Sequence, residues 1–295
     1  MNKNDLQQFV QNNPHLVKIK STSNPNLFVL KYTNKVFFDS LWNEYLEECR
    51  GTIVDKDFNI VSYPFTKIYN YGIESRAPKL SDDTVITTYR KINGFMAAVT
   101  WHNDNLLVST TGSIDSDFVK YVYDLIDINQ YSAVCKEYPN LTFMFECVHE
   151  NDPHIIPEVT GMYLLGYREK DWESTIAIDQ TMYISLVEKF KCFKVESHTT
   201  TMAELLKSVK HVKHEGFVFY TQSGQAAKIK TPYYLIQKAL ARKKDILSLS
   251  RSAVDEEYYP LVSHLNSIKD AFNEFDEQAR LKYIRYWLQT NHTGQ

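Results

Sequence analysis

Isolated charged residues interrupt strand-like apolar sequence at several points of the chain, and they are the side chains most suited to chemistry. The first is Lys91, in VITTYRKINGFMAAVTW (residues 85–101), three positions before Gly94. Lysine is rarely buried unless it is paired or reaches water along its aliphatic stem. From this stretch alone, Lys91 is either a solvated residue of an alternating strand or a nucleophile at a strand end.

Further charges stand in the same kind of setting. They are Arg50 in EECRGTIV, Lys67 in PFTKIYNYG, Glu146 in FMFECVHE, Glu215 in EGFVFY, and Lys228 and Lys230 in AAKIKTPYYL. Lys228 and Lys230 share one face of a strand, because side chains alternate with period two. That pair indicates either a solvated edge strand or a phosphate site. The nine glycines form neither a P-loop nor a dinucleotide-binding motif, so phosphates would have to be held by such cations.

Composition limits the class of protein. Of the 295 residues, 43% are hydrophobic, which is enough for one large domain and a smaller one. The net charge of -3 means that a polyanion would need a local basic cleft. The four cysteines form no C-x-x-C pair, and no signal peptide or membrane-spanning run is visible, which predicts a cytoplasmic protein with no membrane contact.

Hairpins and helices are predicted to position the charges. Three pairs of β-rich runs turn at Lys56-Asp57, between His102 and Asn105, and at Ser223-Gly224. The stretches DFVKYVYDLIDI and TMAELLKSVKHV have helical periodicity. Locally paired antiparallel strands argue against a doubly wound parallel sheet and favour an α+β fold.

The periodicity becomes helical after about Leu240. Apolar residues recur at steps of three and four in two sets, Leu261-Leu265-Ile268-Phe272 and Leu281-Ile284-Leu288. We therefore predict an α+β domain over residues 1–240 and a small all-helical C-terminal domain over residues 241–295. The basic run Arg242-Lys243-Lys244 is either a solvated helix face or a contact for RNA phosphate.

In this order, the charged patches resemble the nucleotidyltransferase motifs of covalent ligases, and most closely those of the phage RNA ligase 1 family. The resemblance covers roughly residues 26–234 and includes ECRG, KIYN, Lys-x-x-Gly at Lys91 to Gly94, GSI, FEC, EGFV and KIKTPYY. It implies an antiparallel-sheet nucleotidyltransferase domain of the ATP-grasp-like ligase type. Lys-x-x-Gly alone is common, but seven blocks in order are specific, and they favour the nucleophile interpretation of Lys91.

The resemblance implies an ATP-dependent RNA ligase. In this family a lysine attacks the α-phosphate of ATP, AMP passes to an RNA 5′-phosphate, and a 3′-hydroxyl then displaces AMP. The attacking amine must be neutral, so we expect burial and neighbouring cations to lower the pKa of Lys91. The cations expected to do so are Arg50, Lys67, Lys228 and Lys230, which would also neutralise the triphosphate.

The resemblance assigns a role to each catalytic residue. Lys91 would be adenylated, while Lys228 and Lys230 would contact the α-phosphate, with Lys230 helping the leaving group to depart. Glu146 would accept a hydrogen bond from the ribose. Glu215 would bind the ribose or would hold Mg²⁺, or Mn²⁺ in its place, through water.

The remaining assignments concern nucleotide binding. Arg50 and Lys67 would hold the pyrophosphate, Gly94 would let the backbone approach the nucleotide, and Val218 would pack on the adenine. Three tyrosines match aromatic positions of the family and are equally well explained by core packing: Tyr32, Tyr69 and Tyr234.

Two positions depart from the family pattern. Asn93 replaces the aspartate of Lys-x-Asp-Gly, which removes a charge, although the related fungal tRNA ligases also resemble a Lys-x-Asn-Gly pattern. Thr111 stands where the phage relative has a lysine beside the glycine of GSI. Both departures leave open a catalytically impaired protein that binds RNA ends.

DNA ligases and capping enzymes share the lysine motif, but in them a strand-rich OB-fold follows the paired lysines, whereas this chain continues with helical periodicity. The family also implies a monomer of phage origin in the host cytoplasm. Its implied substrate is RNA with 5′-phosphate and 3′-hydroxyl ends, such as a broken tRNA, and its implied upstream partner is a polynucleotide kinase.

Overall fold

The computed structural model describes residues 2–176, 179–242 and 256–291, which contain fourteen strands and eleven α-helices. The strands are β1 Val17–Ser21, β2 Leu27–Tyr32, β3 Arg50–Asp55, β4 Ile60–Ser62, β5 Tyr69–Asn70, β6 Val85–Lys91, β7 Phe95–His102, β8 Asn105–Thr110, β9 Leu141–Val148, β10 Gly161–Glu169, β11 Phe193–Lys194, β12 Ser197–Thr201, β13 Gly216–Thr221 and β14 Ala226–Lys230. The helices are α1 Lys3–Asn12, α2 Asn34–Phe38, α3 Glu44–Glu48, α4 Asp117–Leu125, α5 Ile128–Glu137, α6 Gln180–Phe190, α7 Met202–Ser208, α8 Pro232–Arg242, α9 Tyr259–Ser267, α10 Lys269–Asn273 and α11 Glu277–Asn291.

The strands form three sheets. Their orders are β1-β2-β3-β4, β11-β10-β9-β7-β8 and β12-β6-β13-β14-β5. Neighbouring strands pair antiparallel, except that β10 with β11 and β14 with β5 are parallel. The three predicted hairpins are confirmed as β3–β4, β7–β8 and β13–β14, and the two predicted helices as α4 and α7.

Strand β9 shows how sequence alternation separates core from cleft. It is buried along its whole length between β7 and β10. Phe143 and Phe145 point to one face and pack against Phe190 of α6, and burial of each ring contributes about 1.5–3 kcal/mol. Because side chains alternate, Glu146 points to the opposite face. The apolar core therefore fixes the strand that presents this carboxylate.

Helices α8 to α11 form a separate apolar cluster. Its buried members include Leu240, Leu261, Leu265, Phe272, Leu281, Ile284 and Leu288. Ile155 and Ile156, from the segment between β9 and β10, belong to the same cluster. Helix α8 begins at Pro232 and packs on α11, so helical structure starts before the predicted domain boundary at residue 240, which stays a prediction.

Within the described residues, none of the helices combines the length and the apolar character that crossing a bilayer requires. Of the predicted basic run, Arg242 is the last residue of α8, and Lys243 and Lys244 lie outside the described residues.

Candidate active site

A cavity of about 410 Å³ lies between the second and third sheets. The third sheet contributes Tyr89, Arg90, Lys91, Val218, Tyr220 and Lys228, and the second contributes Phe95, Met96, Glu146 and Leu165. Arg50, at the start of β3, and Thr111 also line it. The cavity therefore joins residues from six of the seven sequence blocks, all except GSI.

Strand register explains why the lysines meet. Lys91 ends β6 and lies opposite Gly216 of β13, which in turn lies opposite Lys230 of β14. Two residues away, Val218 lies between Tyr89 and Lys228 in the same way. Because positions two apart share a face, both rows are on one face of the sheet. The predicted common face of Lys228 and Lys230 is thus present, next to Lys91.

Glu215 lies between two ammonium groups. Its Oε2 is 2.8 Å from Lys91 Nζ, and its Oε1 is 3.1 Å from Lys230 Nζ. Gly216 follows it with a φ of 151°, and a Cβ there would lie 2.0 Å from the carbonyl oxygen of Ile229. Glycine is therefore required at this position to bring Glu215 beside the two lysines.

Glu146 is tied to the lysine motif through Gly94, whose backbone N–H donates to Glu146 Oε1 at 3.1 Å. A Cβ on Gly94 would lie 2.2 Å from the carbonyl oxygen of Cys147. In this structure the glycine is needed because the motif crosses the backbone of β9 closely. The predicted approach of Gly94 to a nucleotide stays a prediction.

Asn93 is an integral part of the site. Its Nδ2 donates to Glu215 Oε2 at 2.8 Å, and its Oδ1 accepts from the backbone N–H of Ile156 at 2.8 Å. The side chain is buried. An aspartate in the same position would lose the amide donor and would place a second carboxylate against Glu215. The amide therefore fits this site better than the aspartate of the family motif.

The pKa of Lys91 is shifted in the direction opposite to the one expected. Burial acts to lower the pKa of this amine, but attraction to Glu146 and Glu215 outweighs burial, and the net result is a raised pKa. The expectation of a lowered pKa at Lys91 was therefore wrong. It counted the cations around the cleft and left out the two carboxylates.

The lowered pKa belongs to Lys228 instead. Burial, followed by repulsion from Arg50, Lys91 and Lys67, lowers the pKa of Lys228 to about 7. The cavity thus holds one amine that stays charged at neutral pH and one that is close to half protonated.

The two carboxylates also differ. Burial raises the pKa of Glu146, and the Lys91 charge only partly offsets that effect. Burial acts in the same direction on Glu215, but Lys91 and Lys230 together lower its pKa. Of the two carboxyl groups, Glu215 therefore ionises more readily.

Lys67 and Tyr69 line a second cavity of about 530 Å³, which shares Thr66, Ile68 and Tyr220 with the first. Lys67 Nζ is 2.6 Å from Glu74 Oε1 and lies 4.1 Å from the centre of the Tyr69 ring. These two predicted residues therefore adjoin the Lys91 cavity without lining it.

The other predicted aromatic residues lie at the edges of the site. Tyr32 packs edge-on against Trp42, with ring centroids 4.7 Å apart. Burial lowers the pKa of Arg50, and a hydrogen bond with the Tyr32 hydroxyl partly offsets that effect. Tyr234 is buried, and Lys230 Nζ lies 4.6 Å from its ring centre. Packing thus accounts for both rings, in addition to any role toward a ligand.

Several lining residues were missed by the sequence analysis. Tyr89 and Tyr220 meet edge-on with centroids 5.9 Å apart, and Arg90 Nη2 is 2.7 Å from Glu158 Oε2. A period-two step from Lys91 to Tyr89, and from Val218 to Tyr220, could have found both tyrosines. No period-two relation to a recognised motif pointed to Glu158.

No protein-family model and no curated protein matches this sequence. Solved structures share its fold. A protein from Aquifex aeolicus with the provisional name of ATP-dependent DNA ligase superposes with a TM-score of 0.59 at 16% identity, over 98% of this chain and 81% of its own. An archaeal ATP-dependent RNA ligase superposes with a TM-score of 0.58 at 14% sequence identity, over 94% of this chain and 75% of its own. The fold is that of ATP-dependent ligase nucleotidyltransferases, as predicted.

Proposed function

We propose that this protein is an ATP-dependent RNA ligase that forms a covalent lysyl-AMP intermediate at Lys91. The proposal rests chiefly on the position of Lys91, at a strand end in a cavity whose walls carry Glu146, Arg50 and Lys228. The fold and the order of the sequence motifs support the same reaction class.

The cavity suits a nucleotide in size and in chemistry. Its volume of about 410 Å³ is in the range of ligand pockets. Tyr89, Val218 and Tyr220 offer an apolar region for the base, whereas Arg50 and Lys228 offer cations for the phosphates. Glu146 would accept a hydrogen bond from the ribose.

The carboxylates also suit a hard cation such as Mg²⁺, or Mn²⁺ in its place, which would neutralise the triphosphate. Both oxygens of Glu215 are already engaged, since Oε2 accepts hydrogen bonds from Lys91 and Asn93 and Oε1 forms an ion pair with Lys230. Glu215 would therefore act on a metal through water. Glu146 Oε1 accepts only the Gly94 N–H among the hydrogen bonds of the described residues, so Glu146 is the more open ligand.

In the first step Lys91 Nζ must lose a proton before it attacks the α-phosphate. Glu215 Oε2, at 2.8 Å, lies within reach of that proton. The N–P bond then forms, the bond between the α-phosphorus and the bridging oxygen breaks, and pyrophosphate leaves. Arg50 and Lys228 stabilise the charge that develops on the phosphates.

RNA as the substrate follows from the sequence resemblance, and one structural neighbour carries a DNA ligase name, so a DNA ligase is the competing assignment. A ligase of this type needs a 5′-phosphate, which a polynucleotide kinase would supply, for instance in repair of a broken tRNA. We propose the protein as a cytoplasmic monomer in that sequence of reactions.

The test is the intact mass of the protein, stripped with pyrophosphate, after incubation with ATP and Mg²⁺. We expect a gain of one AMP that Lys91→Ala abolishes and that 5′-phosphorylated RNA discharges into joined product. Discharge by DNA alone would make the protein a DNA ligase. A wild-type protein that gains no AMP would overturn the proposal and favour a protein that only binds RNA ends.

A further inference from the structure

Three lysines lie together on the β1–β2 hairpin. Lys18 and Lys31 are direct cross-strand partners, and Lys20 follows Lys18 by two positions, so the three share one face. All three side chains are exposed. Like charges directly opposite each other on a sheet are destabilising, so this arrangement works against the hairpin's own stability.

These lysines have no carboxylate within ion-pair distance among the described residues. An acidic side chain is present near the end of the hairpin, Asp115, but it accepts hydrogen bonds from the backbone and hydroxyl of Ser23. The positive charge of the hairpin face is therefore available to a ligand.

Two of the three lysines converge on one turn at the edge of the Lys91 cavity. Lys20 Nζ donates to the carbonyl oxygen of Gly112 at 2.8 Å, and Lys31 Nζ is 2.8 Å from the position that a Gly112 Cβ would occupy. Gly112 follows Thr111, which lines the cavity. Lys31 is also the cross-strand partner of Arg50, another lining residue.

This geometry bears on the departure at Thr111. The phage relative has a lysine beside the glycine of GSI, and this chain has threonine there. The structure nevertheless places an ammonium group beside Gly112, because Lys31 reaches it from β2. The cation is thus supplied by a different strand, outside the cavity and at its rim.

We propose that Lys20 and Lys31, together with Lys18, bind backbone phosphates of the RNA strand whose 5′-end enters the Lys91 cavity. This inference rests on the proposed ligase function, since it names the surface that receives the substrate of that site. The three lysines form a local basic face on a chain whose net charge is -3, and phosphate contacts by such residues position a strand without reading its sequence.

The test measures binding of a 5′-phosphorylated single-stranded oligoribonucleotide by fluorescence anisotropy over a series of salt concentrations. For the double variant Lys20→Ala/Lys31→Ala we expect affinity to fall roughly tenfold at about 0.1 M salt, with the slope of log K against log salt shallower by about 1.4. The control is Lys35→Ala/Lys120→Ala, which removes two exposed lysines already paired with Asp39 and Asp117. It should bind RNA within about twofold of wild type.

Measuring the formation of lysyl-AMP tests the ligase proposal independently of the proposed RNA-binding surface. Neither Lys20 nor Lys31 lines the cavity, so the double variant should take up AMP from ATP at the wild-type rate. If the wild type takes up no AMP but its RNA binding still requires the two lysines, the proposed RNA-binding surface is supported and the ligase proposal is wrong. If RNA affinity is equal in the wild type and the double variant, or absent in both, the proposal that these lysines bind RNA is wrong.

Discussion

Two regions of the molecule, the helical cluster and the cavity between the sheets, follow opposite rules. The cluster of helices α8 to α11 is filled by apolar side chains, with Phe272 and Leu281 fully buried. The cavity between the sheets is instead lined by charged side chains, among them Lys91, Glu146 and Lys228. Removing charges from water is costly even when they are paired. The helical cluster therefore stabilises the fold, whereas the partly buried charges at the cavity lower its stability.

The two regions are connected by a short segment. Ile155 and Ile156 pack in the helical cluster, and the backbone N–H of Ile156 binds Asn93, which in turn binds Glu215. A well-packed region thus fixes the position of a charged one. Substitutions that act on stability and on activity separately can test this division.

The largest expected effect is on stability. Phe272→Ala should lower the free energy of unfolding by about 3–5 kcal/mol, because it removes a fully buried ring and leaves a cavity. Urea denaturation followed by circular dichroism measures this change. Below its melting temperature the variant should still take up AMP at a rate close to that of wild type. Loss of AMP uptake in the folded variant would contradict the division between the regions.

Lys228→Met should do the opposite of Phe272→Ala: it should lower AMP uptake and raise stability. We expect AMP uptake to fall about 100-fold, because a cation that stabilises the transferring phosphate is lost. The folded state lowers the pKa of Lys228 to about 7, so the charged amine opposes folding most strongly below that pH, and its effect fades as pH rises toward the ordinary lysine range.

The gain in stability from Lys228→Met should follow the same pH dependence, largest below about pH 7 and smaller in alkaline solution. Thermal melts across pH measure it, with Lys35→Met, at an exposed position, as the matched control. A variant that is less stable than wild type at pH 6 would contradict the assignment of Lys228 as a destabilising charge.

A smaller effect is expected for Asn93→Asp. In the wild type the Asn93 amide donates to Glu215 Oε2 at 2.8 Å, and the variant would put a second carboxylate in place of that donor. The variant should lose about 1–3 kcal/mol at neutral pH, because a buried hydrogen bond is replaced by repulsion. Repulsion raises the pKa of one carboxyl group, so the loss should diminish as pH falls through that raised value. Asn93→Ala controls for the loss of the amide alone and should lack this pH dependence. Faster AMP uptake than wild type with undiminished stability would contradict the conclusion that the amide fits this site better than an aspartate.

Much of the architecture could be predicted, because it depends on local patterns. Period-two alternation marked β13 and β14 and placed Lys228 and Lys230 on one face, and helical spacing marked the tail from Leu261 to Leu288. The resemblance placed Lys91, Glu146 and Arg50 in one site, and the cavity contains all three.

The remainder depends on contacts between distant parts of the chain. Asn93 and Glu215 are 122 positions apart, and no spacing rule predicts their hydrogen bond. The direction in which the Lys91 pKa shifts depends on the balance between burial and two carboxylates that are distant in sequence, Glu146 and Glu215. Lys67 lies beside the cavity because it pairs with Glu74, a residue outside every recognised motif.

The most direct test of the central claim is to locate the AMP adduct by peptide mass spectrometry after incubation with ATP. On pKa alone Lys228 would be the more reactive amine, because Lys91 is held charged by Glu146 and Glu215. We predict that AMP is found on the peptide containing Lys91, because position at the end of β6 outweighs resting pKa. AMP on the peptide containing Lys228, with Lys91 unmodified, would contradict the account.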